Sequence, residues 1–157
     1  MDLDRIDLAI LDHLQNDGRA SAAEISEKVG LSPSPCHRRQ KLLEERGVIQ
    51  RYVALVDQQS VGLSMSAFVL VTMMTHADEN LRAFEQTVAN FPEVMECYEM
   101  AGSSDYLLRV VTADLQSYEH FLRTRLTPMP GVRSFQSSFA LKRIVYRTGL
   151  PLPRVAR

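Results

Sequence analysis

The sequence predicts an α+β chain in two parts, three short helices followed by a β-α-β-β-α-β unit. Three observations predict it. Apolar residues in the first third recur at three- and four-residue spacing, and each run is bracketed by capping residues and glycines. Beyond the polar stretch at 57–62 the period changes, and strand-like runs alternate with helical ones. Finally, 157 residues with 45% hydrophobic and 24% charged side chains are enough for one ordinary domain or two small ones, and disorder is not the default.

In the first helix Leu3, Ile6, Ile10 and Leu14 recur at helical spacing, with Asp4 placed as the cap and Gly18 as the stop. In SAAEISEKVG, Ser21 and Glu24 form a capping box, each side chain satisfying a free backbone N–H of the other residue. Ile25 and Val29 make the buried stripe, and Gly30 supplies the left-handed residue that ends this helix. The third helix begins after Ser32 or Ser34. Because a residue before proline avoids the helical region, Ser34 is favoured as cap, with Pro35 first in the helix. At 100° per residue Cys36, Gln40 and Leu43 share one face, while His37, Arg38 and Lys41 share another. Gly47 ends the helix, and VIQRYVALV reads as a strand or an extended connector.

The second part opens on the strand SAFVLVTMM. A helix follows, DENLRAFEQTVANFP, with Leu81, Phe84, Val88 and Phe91 on one side. EVMECYEMA and YLLRVVTA are strands joined by GSSD. DLQSYEHFLRTRL is a helix capped by Asp114, with Leu115, Tyr118, Phe121 and Leu122 inward, and VRSFQSSFALKRIVY is a final strand. That order is the ferredoxin-like split βαβ arrangement, one antiparallel sheet with both helices on one face. The expected domains are 1–56, a linker at 57–63, and 64–157.

Three short helices with a glycine turn between the second and third match a helix-turn-helix of winged-helix-like character, whose third helix enters the DNA major groove by its N-terminal end. That end carries free N–H groups and partial positive charge. Arg38 has the donor fork to read guanine, and Ser34 and His37 can donate to a base or a phosphate. Lys41 and Arg51 suit phosphate contacts, which position without reading sequence. Ser32 and Pro35 complete the expected DNA-binding set. A basic helix face is often merely solvated; here it coincides with the groove-entering end, and Glu44 and Glu45 come only later.

Other features exclude function classes. Residues with nucleophile-base, phosphate-loop or His/Cys-cluster spacing are missing, so an enzyme is not expected and no catalytic residue is assigned. The histidines His13, His37, His76 and His120 are scattered, and no metal site or cofactor is expected. No apolar run approaches a membrane span, and the acidic start MDLDRIDLAI is unlike a signal peptide, so a cytoplasmic protein without membrane contact is expected. Cys36 reads as a small core residue. Cys97 lies on a strand, with no support for a redox role.

LDRIDLAILDHLQNDGRAS and GLSPSPCHRRQKLLEERGVIQRYVALVD closely resemble the N-terminal domain of the Lrp/AsnC (leucine-responsive, or feast/famine) transcriptional regulators. AGSSDYLL is similar to that family's glycine-x-x-aspartate-tyrosine loop, and PGV with the final strand adds to the match, which spans nearly the whole chain. The resemblance implies a regulator that binds double-stranded DNA, dimerises, and assembles further to an octamer or similar homo-oligomer. It also implies an amino acid effector. Carried over by position, its pocket involves Met100, Ala101, Gly102, Ser103, Ser104, Asp105 and Tyr106, with Ser137 and Ser138 from the last strand. Asp105 is the acceptor for the effector's ammonium, and backbone N–H groups of the glycine-containing turn are donors for its carboxylate. Spacing alone is also satisfied by a plain Gly-Ser-Ser-Asp turn. The ending SSFALKRIVYRTGLPLP departs from the leucine-responsive protein itself, which leaves effector identity open. A DNA-architectural protein of the same fold, without an effector, is the alternative.

Overall fold

A computed structural model describes residues 3–153 of the chain. These divide into two compact units, one running to Leu55 and resuming at Ile144, the other Val56–Arg143.

In the first unit α1 (Arg5–Asn16), α2 (Ala22–Val29) and α3 (Pro33–Glu45) enclose a core of Leu8, Ile10, Leu11, Leu14, Ile25, Cys36 and Leu43. Asp4 caps α1: its Oδ1 accepts the N–H groups of Ile6 and Asp7, both at 2.8 Å. The helix ends at Asp17 in an extended conformation, and Gly18 is not left-handed, so the expected glycine stop is replaced by a polar cap one residue earlier. The Ser21–Glu24 box holds the start of α2, and Gly30, at φ 73°, stops it. There Leu31 N–H bonds Ser26 O at 3.0 Å, which fixes the turn into α3.

α3 starts two residues earlier than Ser34-as-cap implies. Ser32 is the cap, extended at ψ 158°, and Pro33 is the first helical residue. The pre-proline restriction is met at Ser32, while Ser34 is helical despite preceding Pro35. Pro35 falls in the first turn, where a missing N–H has no intrahelical partner to lose. Gly47, at φ 70°, follows the end of α3. VIQRYVALV then runs on as a connector without strand pairing. The stretch after Ile144 returns to α1. Leu150 N–H donates to Gln15 Oε1 at 2.6 Å, Gln15 Nε2 donates to Leu150 O at 3.2 Å, and Leu152 packs on the core. The sequence reading ran its second domain unbroken from 64 to 157; in the structure this tail groups with the helices.

The second unit is β1 (Met65–Met73), α4 (Asp78–Val88), β2 (Val94–Glu99), β3 (Tyr106–Thr112), α5 (Leu115–Phe121, extended by a π turn at Leu122–Leu126) and β4 (Val132–Phe139). All strand pairs are antiparallel in the order β2-β3-β1-β4, as the split βαβ arrangement requires. Alternation along the strands sends Ala67, Val69, Val71, Met73, Tyr106, Leu108 and Val110 to one face, where they bury Phe84, Val88, Tyr118 and Phe121 of the helices. Leu115, expected inward, is 52% exposed in the first turn of α5. The final strand stops at Phe139 instead of reaching Tyr146. Ala140 N–H bonds Ser66 O at 2.9 Å, and β1 begins at Met65, so a longer β4 would have no partner strand.

Candidate DNA interface and effector loop

The buried stripe of α3 fixes what its other side presents. Cys36 is fully buried and Leu43 nearly so, which leaves Ser32, Ser34, Pro35, His37, Arg38 and Lys41 exposed together. The first turn holds no acidic residue, and Ser32 makes no side-chain cap bond; Pro33 and Pro35 have no N–H and Cys36 N–H bonds Ser32 O at 3.3 Å, so the Ser34 N–H and the Ser32 hydroxyl are what the helix start offers an incoming anion. Arg38 has no ion pair or hydrogen bond among the described residues, whereas Lys41 reaches Glu45 at 3.7 Å. Arg51 is exposed on the connector.

The neighbouring Arg39 has another job. Its Nη1 bonds Asp4 Oδ2 at 2.7 Å and Asp7 Oδ1 at 2.8 Å, tying α3 to the capping box of α1. Its hydrogen bonds to Asp7 and Asp4 push the guanidinium pKa up. The Asp4 carboxyl is lowered by the Asp7 N–H first and by Arg39 next. Behind α3, Tyr52 O–H donates to Glu44 Oε1 at 2.8 Å and accepts from Gln40 Nε2 at 2.9 Å, docking the connector on the helix.

In the second unit the loop 100–105 closes β2 onto β3 at the end of the sheet where β1 finishes. Met100 N–H bonds Asp105 O at 2.8 Å, and Asp105 N–H bonds Val71 O at 2.9 Å. Gly102 takes φ 156°, with open space where a Cβ would stand. Ala101, Gly102 and Ser103 are exposed, Met100 is 40% exposed, and Ser104 is half-buried. The Asp105 carboxylate is tethered on both sides. Oδ2 accepts the Met73 N–H at 2.7 Å and Oδ1 meets His76 Nε2 at 2.7 Å. The Met73 bond, followed by His76, lowers its pKa below the ordinary carboxylate value.

The expected site residues do not all converge. Tyr106 turns into the core, against Phe84 with ring centroids 4.6 Å apart, and its O–H donates to Glu85 Oε1 at 2.8 Å. Burial first, and Glu85 second, push that phenol well up. Ser137 pairs in register with Val69 on the helix side, where its hydroxyl accepts from Tyr118; Ser138 pairs with Phe68 on the opposite face. Ser137's partner Val69 lies two positions along β1 from the loop's neighbour Val71, roughly 7 Å along the sheet. Sequence reasoning set His76 aside as one of four scattered histidines. A signal did exist: in β-α-β-β-α-β topology the β1–α4 and β2–β3 connections meet at one end of the sheet.

Among the described residues, no group of three or more His, Cys, Asp or Glu could hold a metal, and no helix is long and apolar enough to cross a membrane.

The two units match two family models: winged helix-turn-helix DNA-binding over residues 3–50, and Lrp/AsnC ligand binding domain over 66–150. The Bkd operon transcriptional regulator of Pseudomonas aeruginosa is 44% identical over 151 residues, covering 96% of this chain and 99% of that protein. A transcriptional regulator from Neisseria meningitidis, crystallised as an L-Met complex, superposes with TM-score 0.90 at 41% identity over 96% of this chain and 97% of that one. An AsnC family regulator from Agrobacterium tumefaciens does so with TM-score 0.90 at 42% identity, over 95% and 97%. A winged helix-turn-helix unit followed by this ligand-binding fold is thus matched along nearly the whole chain by transcriptional regulators: the chain belongs to the Lrp/AsnC family of DNA-binding transcriptional regulators.

Proposed function

We propose that the chain is a sequence-specific regulator whose DNA affinity or assembly responds to an amino acid bound at the loop 100–105. The observation that carries this reading is the Asp105 carboxylate, held by a backbone bond at a half-exposed loop beside the open backbone of Gly102. An anchored carboxylate is an acceptor for an ammonium, and the turn's N–H groups suit a carboxylate. The L-Met complex of the Neisseria relative supports the amino acid class. Ala101, Gly102, Ser103 and Ser104 supply the turn and Met100 an apolar contact. Tyr106 supports the loop from the core. Ser137 and Ser138 take part only if a second copy of the chain brings its own surface to them.

On the DNA side, Arg38 reads a base edge, Ser32, Ser34, Pro35 and His37 shape the helix entrance, and Lys41 and Arg51 meet phosphates. The active species is a homo-oligomer, a dimer assembling to an octamer or similar, because paired half-sites need paired recognition helices.

Fluorescence anisotropy with DNA from upstream of the protein's own gene, at fixed salt, tests the reading. One of the common amino acids is expected to shift the binding curve, and Asp105→Ala is expected to abolish that shift while leaving DNA binding in place. Tight binding that ignores every amino acid favours the architectural alternative.

A further inference from the structure

The β1–α4 loop places a side chain on the proposed effector site that the site does not yet use. His76 is 29 residues from Asp105 in sequence, yet its Nε2 lies 2.7 Å from Asp105 Oδ1. The two oxygens of Asp105 differ in kind. Oδ2 is fixed to the Met73 backbone N–H, which cannot leave without opening the end of β1. Oδ1 is held by a side chain that is 73% exposed, against 21% for Asp105 itself. An exposed imidazole can swing into solvent at little cost.

An imidazole N–H and an ammonium ask the same thing of a carboxylate oxygen, a short donor contact along its lone pair. Resting on the effector reading above, we propose that His76 is a built-in competitor for the ammonium position, and that an amino acid binds by displacing the ring from Asp105 Oδ1. His76 thereby makes effector affinity depend on pH. Once protonated, the ring forms a charge-assisted pair with Asp105 and yields less readily; neutral, it yields more readily. The other charged groups at this end of the sheet, among the described residues, are Arg133 on β4, which also lowers Asp105, Glu99 at the end of β2 opposite Tyr106, and Asp78 and Glu79 in the first turn of α4, Asp78 lying 3.7 Å from Arg82. Acidification therefore weakens effector binding without altering the turn itself.

Calorimetric titration of the full chain tests this, with L-methionine as the first probe and the other common L-amino acids after it, at about pH 6 and about pH 8. The wild type is expected to bind about two- to fivefold more weakly at the lower pH, the range of an exposed ion pair. His76→Gln keeps a hydrogen-bonding side chain that does not titrate, and is expected to bind equally at both. His76→Ala is expected to bind more tightly than wild type at the lower pH. Weaker binding by His76→Ala would make the ring a support of the loop and overturn the proposal, as would a pH dependence that survives in His76→Gln. Asp105→Asn separates the two readings. If it binds as well as wild type, Asp105 is not the ammonium acceptor, and the competition falls while a sensor elsewhere stands. If no amino acid binds the wild type or any variant, the effector reading and this one fall together.

Discussion

Arg38 and Arg39 are adjacent in sequence and do opposite work. The 100° step between them turns Arg39 toward Asp4 and Asp7 and leaves Arg38 unpaired beside the open helix end. Arg38→Ala should weaken specific binding by about 1–3 kcal/mol if it reads guanine, and should relax preference at one base position. An equal loss on all DNAs would make it a phosphate contact. Arg39→Ala should instead lower the melting temperature of the chain while leaving the salt dependence of DNA binding unchanged, since its guanidinium is already paired. The Asp4 carboxyl sets a pH dependence of stability whose sign follows from its lowered native pKa. Its contribution is complete above the ordinary value of 3.8 and is lost as pH falls through the lowered one. Thermal melts of wild type and Asp4→Asn should therefore differ at neutral pH and converge on strong acidification; a constant difference would show that the charge is irrelevant to the cap.

At the scale of the element, the start of α3 shows where local pattern stops deciding. A helix beginning at Pro33 or at Pro35 has the same phase, so Cys36 and Leu43 are buried either way and the apolar stripe does not distinguish the two. Ser32 wins because it alone can be extended before the first proline while every later residue is helical. The turn before it was legible, because Gly30 at φ 73° has few substitutes. Gly30→Ala should destabilise the first unit by about 1–2 kcal/mol, the penalty of a left-handed residue with a Cβ, since the space around it is open and packing adds nothing. Chemical denaturation checks this. LKRIVY is apolar enough to continue a strand, yet β4 ends at Phe139. Its length is set by β1, which offers no backbone partner beyond Ala140.

At the scale of the whole molecule, one face of the sheet carries the helices and the other does not. Register places Phe68, Leu70, Leu107 and Tyr98 on that second face, with Phe68 39% and Tyr98 52% exposed. An apolar sheet face on which no helix of its own unit packs, among the described residues, suits association with a second copy. Phe68→Glu should shift sedimentation toward smaller species and weaken binding to DNA carrying two half-sites more than to DNA carrying one. Unchanged sedimentation would place the interface elsewhere on the chain.

The sequence by itself determined the order of elements, the capping box, the glycine stop of α2, the basic face of α3 that stays exposed, and the β-α-β-β-α-β frame. All of these follow from interactions within a few residues of chain, which periodicity and capping chemistry record. Only the tertiary structure decided which polar groups are already engaged. Asp105 bonds a backbone N–H 32 residues away, Arg39 reaches back to Asp4 over 35, and Gln15 holds Leu150 across 135. Tyr106 and Ser137 likewise turn to the core side because strand register assigns them to it. Sequence names the groups able to bind a ligand; sheet register and packing decide which of them face outward and which have found a partner inside.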